Sequence, residues 1–547
     1  MGHWLRGDKG WNAIMADTKI RTLLIGLDGA TYDLLDQLVD EGVMPNMGRI
    51  MKDGARGILK STIHPLTPPA WTTMTTGRTP GNHGVFDFIR VDRDGDKPSY
   101  TLATSADVMV PTIWQIASRE GLRATTLNFP VSFPAKPIDG VVIPGYVPWS
   151  YLGRAIHPRP VFKMLKEKGV FKASEMSTDW QHERKAVQGL GENQLQDWVN
   201  FHIVREKRWC DILLTLMDEE PCELMAVLFD GVDRIQHLCY HLIDRATRDQ
   251  YQTEDAKKTT ELALQYYRDV DNYVQAMIDK AGPDAQVMIV SDHGFTRSGA
   301  RIFYANTWLE KMGLLDWVDG TPMDDQGRVA LDENTEASTL INWDTTKAYA
   351  LSSSSNAIFI RQANGPDEPG VQPEEYEAFR DQMIEDLLAL KDPDTGKPVV
   401  MHVFKREDAF PGTYTDRAPD ITLMLHDYSF LSVLRADEAI KDRQVPYATH
   451  HPDGIFVATG PGMAKGKALD DLYIADVAPT AIYSLGLAIP SDMEGKLCEA
   501  TFDDAYLAEN APRYTDVDEL KGDTDTSTLD AEAQAQIKER LKSLGYL

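Results

Sequence analysis

The chain has 547 residues, 42% hydrophobic and 26% charged, enough for a full-sized core in one large α/β domain with insertions or in two domains. Its 84 acidic residues oppose 56 basic ones, a formal charge of −28. That balance excludes general binding of nucleic-acid polymers through their phosphates and docking on anionic membranes; it describes a heavily solvated surface.

Cys210, Cys222, Cys239 and Cys498 show no CxxC spacing and read as free thiols of a reducing compartment, so the expected location is cytoplasmic. Residues 1–20 carry charges and glycines but no apolar run. They are expected to be a disordered extension rather than a signal peptide, with Met15 as a candidate start. Nowhere do eighteen apolar residues follow one another, so no membrane span is expected.

In chain order, Thr22 to Leu27 is an apolar strand ending at Asp28-Gly29, and Leu34, Leu35, Leu38 and Val39 follow at helical spacing. Strand, acid and helix make the first half of a βαβ unit, with Asp28 where open α/β sheets place their ligands; its other role is a helix cap. A second strand is expected from Gly57 to Ile63. Pro68 and Pro69 then fix the backbone ahead of a helix reaching Gly77. Thr67 falls at its N-terminus, where negative charge is favoured, and there it either caps the helix or serves as a nucleophile. His83 lies in a turn.

Thr112 to Gly121 predicts a helix and Leu122 to Asn128 a strand, followed by proline-rich loops from Phe129 to Pro160 in which Tyr146, Trp149 and Tyr151 could line a pocket. A long helix covers Val199 to Met217, and Glu223 to Phe229 is a buried strand. Beyond it Asp233 and His237 stand four apart, so they share one helical face and can grip one ion; Asp230 is the competing acid at the strand end. A helix from Thr259 to Ala281 leads into the strand Gln286 to Val290, which runs out at Ser291-Asp292-His293-Gly294, with Gly294 expected to break the strand into a turn. Acidic loops (Asp324-Asp325, Glu333 to Glu336) and a helix near Pro373 to Leu390 describe an insertion, and the serine run 352–355 is a polar loop. His450 and His451 precede the strand Ile455 to Ala458, and Ile474 to Leu487 is helical.

Three carboxylates, three imidazoles and a hydroxyl (Asp28, Thr67, Asp233, His237, Asp292, His293, His450) exceed the needs of one ion. They suit a neighbouring pair of divalent cations, for which mixed Asp/His donors favour Zn²⁺, with Mn²⁺ next.

These stretches, Leu24 to Gly29, Thr67 to Gly77, Asp233-x-x-x-His237, Ser291 to Gly294 and His450, taken in order, resemble the alkaline phosphatase superfamily, and most closely its type I phosphodiesterase/nucleotide pyrophosphatase branch. Ile474 to Thr480 and Met493-Glu494-Gly495 resemble the closing region of that family. The resemblance implies an α/β three-layer sandwich with a mainly parallel central sheet and a cap. Residues 21–314 and 441–515 would form the catalytic core, 315–440 the substrate-selecting insertion and 516–547 a helical tail. One cation would be held by Asp233, His237 and His450 (or His451), the other by Asp28, Asp292, His293 and the Thr67 oxygen. Thr67 would attack phosphorus and form a phosphothreonine on the way to hydrolysis of a phosphodiester or pyrophosphate bond in a small phosphorylated substrate. A phosphomutase or a phosphonate hydrolase could use the same site. Two departures stand out. No Asn follows His83-Gly84, so a phosphate oxygen must be held from elsewhere, with the backbone near Thr67 and Asn128 as candidates. Thr67-Pro68-Pro69-Ala70-Trp71 lacks the oxidisable Cys or Ser and the Arg of type I sulfatases.

Overall fold

The computed structural model describes residues 18–516 except 94–96, 148, 177–191, 322, 325–336, 367 and 444–445. Most of the expected N-terminal extension, most of the tail from 516 and the acidic stretch Glu333 to Glu336 lie outside the described residues.

Six strands read from the sequence and three short ones that were not pair into one central sheet of nine strands among the described residues. They are β1 (Thr22–Leu27), β2 (Ala55–Lys60), β3 (Ala124–Leu127), β4 (Gly140–Ile143), β5 (Leu224–Phe229), β6 (Gln286–Val290), β7 (Asp453–Thr459), β8 (Lys467–Ala468) and β9 (Leu472–Tyr473). Their order is β8-β2-β7-β6-β1-β5-β3-β4, with β9 also on β2. Every pairing is parallel except those of β7, which runs against both β2 and β6.

Both faces of the sheet are covered, which is why β1, β5 and β6 read as continuous apolar runs rather than alternating ones. Leu23, Ile25 and Leu27 point into one core with Met225, Val227, Phe229, Val287 and Ile289. That face is roofed by α1 (Tyr32–Asp40) and by two 28-residue helices, α3 (Glu192–Glu219) and α5 (Glu254–Ala281). Leu24, Leu228, Met288 and Val290 point the other way, onto α2 (Thr67–Thr76) and α6 (Val477–Ser484). The result is a three-layer α/β sandwich of the alkaline phosphatase type.

The sequence of α2, Thr-Pro-Pro-Ala-Trp-Thr-Thr-Met-Thr-Thr, is a poor helix former, yet all ten residues are buried. Its five threonines cost about 3 kcal/mol of propensity against alanine, while burying Trp71 and Met74 contributes about 3–6 kcal/mol. The hydroxyls of Thr72, Thr75 and Thr76 donate back to the carbonyls of Pro68, Trp71 and Thr72, so none is stranded in the core. Pro68 and Pro69 sit in the first turn, where no N–H is needed.

A second hydrophobic cluster stands apart from the sandwich. It gathers Ile89 and Tyr100 of one hairpin with Phe303, Trp308, Tyr349, Ile358, Leu387, Leu423 and Ile440. Its sheet is antiparallel, Ala348–Tyr349, Ala357–Ile360, Ile421–Leu425 and Val400–Lys405, and the helix Tyr376–Ala389 lies beside it. The stretch 129–160, expected to be loops, also contains β4 and the helices Trp149–Ala155 and Arg159–Glu167. β4 has only four residues, and the prolines around it hid it. No helix among the described residues is long and apolar enough to cross a membrane.

Candidate active site

β1, β5 and β6 are parallel, so their carboxyl ends deliver Asp28, the start of α4 (Gly231–Ile243) and Asp292 to the same edge of the sheet. Asp28 caps nothing: Thr31 is the N-cap of α1. Gly29 follows with φ +68°, a conformation natural to glycine, and its N–H donates to Asp292 Oδ1 at 3.1 Å, tying two of the strand ends together.

The turn after β6 differs from the expected one. Gly294 makes no left-handed break; it opens the strand Gly294–Arg297, which pairs antiparallel with Ala448–His451 so that His450 faces Phe295. Glycine is required because a Cβ would stand 2.0 Å from the Asp453 carbonyl oxygen. This ribbon stacks the His293 and His450 rings with centroids 3.6 Å apart. His451, next along the strand, points the other way, and its Nδ1 accepts from the Asp453 N–H at 3.2 Å.

Asp233 and His237 project from α4. Asp233 Oδ1, His237 Nε2 and His450 Nε2 are separated by 3.3, 3.1 and 3.2 Å. Tetrahedral Zn²⁺ with donors at about 2.0–2.1 Å spaces them about 3.3 Å apart. On the other side, His293 Nε2 lies 3.6 Å from Asp28 Oδ1, 3.4 Å from Asp292 Oδ2 and 3.5 Å from Thr67 Oγ1. His293 stands between the two groups: its donor lies within 4.8 Å of those of Asp28 and Asp292, and likewise of those of Asp233 and His450. All seven sequence candidates thus converge, six of them from strand ends, the paired ribbon and α4, and Thr67 from the first position of α2, after the N-cap Leu66.

The hydrogen bonds say what these groups are arranged for. The Nδ1–H of His237 donates to the Ala448 carbonyl at 2.7 Å, that of His450 to Pro65 at 2.8 Å and that of His293 to Gly294 at 3.0 Å. Each imidazole is held in the tautomer that offers a bare Nε2. Two such lone pairs facing one another at 3.2 Å repel unless a cation stands between them. Asp28 Oδ1, Asp233 Oδ1 and Asp292 Oδ2 are buried and accept no hydrogen bond, whereas the second oxygens of Asp28 and Asp292 do. Orphaned acceptors beside bare imidazole nitrogens fit divalent cations and little else. Burial, then the charges of Asp292 and Asp233, push the Asp28 carboxyl well above the usual range, and burial followed by Asp233 does the same to Asp292. Burial, then His450, keeps His293 neutral.

Asp230, the competing acid, is committed elsewhere. The Arg205 guanidinium grips both its oxygens, one at 3.0 Å, Arg234 Nε donates at 3.2 Å and the Asn128 amide at 2.9 Å. Asn128 also donates to the Leu228 carbonyl, so it is not turned to hold a phosphate oxygen, correcting that expectation. His83 is structural: it is fully buried between the Thr73 hydroxyl and the Val85 N–H. The sequence reading missed two donors to Asp28 Oδ2, Trp71 Nε1–H at 3.3 Å and Tyr146 O–H at 3.2 Å. The only sequence signal for either was an aromatic residue near a motif.

A mainly parallel sheet with carboxylates and imidazoles gathered at one edge is the arrangement that the resemblance to the alkaline phosphatase superfamily implied. Residues 22–453 match the family model described as type I phosphodiesterase / nucleotide pyrophosphatase, and the chain belongs to that family. Membership supports a phosphoric ester hydrolase. Among solved structures, phosphonoacetate hydrolase from Sinorhizobium meliloti 1021, in complex with phosphonoformate, aligns at 15% identity over 86% of this chain and 96% of its own, with a TM-score of 0.49. Murine ectonucleotide pyrophosphatase / phosphodiesterase 5 in complex with AMP aligns at 14% identity over 86% and 96%, TM-score 0.49. The human form aligns at 17% over 85% and 95%, TM-score 0.47. No curated protein matches the sequence significantly.

Proposed function

We propose that this protein is a two-metal phosphohydrolase that cleaves a phosphodiester or pyrophosphate bond in a small phosphorylated substrate through a phosphothreonine at Thr67. The observation that carries the reading is the placement of the Thr67 hydroxyl 3.5 Å from His293 Nε2, the imidazole nitrogen that lies 3.6 Å from Asp28 Oδ1 and 3.4 Å from Asp292 Oδ2. Asp233, His237 and His450 would hold one cation, and Asp28, Asp292, His293 and Thr67 Oγ1 the other. The mixed oxygen and nitrogen donors favour Zn²⁺, with Mn²⁺ next. When bound, the pair supplies positive charge that acidifies a neighbouring hydroxyl and offsets charge on the phosphoryl oxygens.

The chain's own groups do the rest. Thr67 Oγ attacks phosphorus, the bond to the leaving oxygen breaks, and water then releases the phosphoryl group from Thr67. Because Pro68 and Pro69 lack N–H groups, the Thr67 N–H is the donor left at the mouth of α2 for a phosphoryl oxygen. Residues 315–440 are proposed as the substrate-selecting insertion: Phe430 stands 4.9 Å from the His450 ring and 6.2 Å from that of His237, so this segment walls the site.

Thr67→Ala is expected to lose about 10³-fold or more in turnover of a model aryl phosphodiester while retaining both cations, and Thr67→Ser to keep measurable turnover. Intact-mass analysis after a rapid acid quench should find the phosphoryl adduct on the wild type and not on Thr67→Ala. Wild-type rates in Thr67→Ala would remove Thr67 from the reaction. Faster release from an aryl monoester than from the diester would remove the diesterase assignment.

A further inference from the structure

Asp28 is supported by groups that lie outside the strand-end motifs. The two oxygens of a carboxylate are chemically equivalent, so which one faces the site depends on what holds the other. Asp28 Oδ2 accepts from Trp71 and from Tyr146, and Oδ1 is left bare. Trp71 is locked in the core between the sheet and α2. Tyr146 is different: it is half-buried on the loop after β4, with φ +56°. A side chain other than glycine adopts that conformation at a cost, and it persists only where the surroundings enforce it. They do so here. The neighbouring Gly145 N–H donates to the Phe129 carbonyl at 3.0 Å, the Arg234 guanidinium sits 5.6 Å from the Tyr146 ring centre, and the Phe88 ring stands 6.0 Å away. Three segments distant in sequence, at Phe88, Phe129 and Arg234, therefore fix one phenol against one carboxylate oxygen.

We propose that Tyr146 is a positioning residue for the cation held by Asp28, Asp292 and His293, committing Asp28 Oδ1 to that cation by occupying Oδ2. The proposal rests on the functional reading above only in requiring that a cation bind there. Arg234 belongs to the same device: it joins the ring of Tyr146 to Asp230 one residue before α4, so the loop after β4 and the helix bearing Asp233 are fixed together.

Tyr146→Phe keeps the ring between Arg234 and Phe88 and removes only the hydroxyl. Metal-stripped protein titrated calorimetrically with Zn²⁺ should show two sites in the wild type. In Tyr146→Phe one site should weaken about tenfold or more, with the other within twofold and the metal-free melting temperature unchanged. In an Asp28→Asn background the same substitution should have no further effect on either site. Two wild-type-like affinities in Tyr146→Phe would overturn the proposal, as would equal weakening of both sites or a penalty that persists with Asp28→Asn. A wild type that takes up no Zn²⁺ would instead sink the functional reading and this inference with it, so the two failures are distinguishable.

Discussion

Each imidazole in the site is addressed at its far nitrogen. Backbone carbonyls of Ala448, Pro65 and Gly294 take the Nδ1–H groups of His237, His450 and His293, and the sequence had no means of naming those carbonyls. His83, just outside the site, shows the contrasting case, an imidazole satisfied at both nitrogens. Its Nδ1 accepts from the Val85 N–H at 3.2 Å, its Nε2–H meets the Thr73 hydroxyl at 2.9 Å, and burial lowers it to about 3. A folded pKa below the unfolded value of about 6.5 gives a contribution that is complete above that pH and is lost as pH falls toward the folded value. Unfolding free energy should therefore drop between pH 6.5 and 4, and His83→Asn should flatten the slope by about 1.4 kcal/mol per pH unit. Parallel slopes for the two proteins in urea titrations would show that His83 is not the group being protonated.

Among the elements, the ribbon formed by Gly294–Arg297 and Ala448–His451 decides most about the site, because it sets His450 against His293 across 157 positions of sequence. Its tightest point is Gly294 against the Asp453 carbonyl. Gly294→Ala should part the strands and destabilise the fold by about 1–3 kcal/mol, read as a lower urea midpoint at unchanged slope. The same variant should bind Zn²⁺ more weakly. A midpoint equal to the wild type would mean that the ribbon yields without cost. The helix α2 teaches a related point: its threonines and prolines argue against a helix by propensity, and burial against the sheet overrides them. The Pro-Pro step still marked its start correctly, since a first turn has no N–H to give up.

At the scale of the molecule, the crossovers between the parallel strands and an antiparallel return bring Asp28, Thr67, Asp233, Asp292 and His450 to one edge. The bare oxygens of Asp28, Asp233 and Asp292 in that enclosure repel one another unless cations are present. Stripping with a chelator should lower the melting temperature and Zn²⁺ should restore it; at free Zn²⁺ about a thousand times Kd, each site contributes about 4 kcal/mol. Because Asp28 and Asp292 are held above the usual carboxylate range, re-uptake should release protons into a weak buffer and weaken as pH falls. A melting temperature indifferent to chelator would count against structural coupling of the cations.

The sequence alone determined β1, β5 and β6, because a strand buried on both faces needs an unbroken apolar run, and it determined the acids and histidines near their ends, because a helical spacing of four or a strand-terminal position is local information. It also placed the chain in its superfamily through motifs kept in order. What only the tertiary structure decided was pairing. Asp230 and Asp233 lie three residues apart, and the choice between them turned on Arg205, which reaches Asp230 from a helix 25 positions earlier. His450 rather than His451 faces the site because strand register sends neighbours to opposite sides. Trp71 and Tyr146 found Asp28 through packing of the sheet against α2 and through a strained loop, and such encounters leave no periodic trace in the chain.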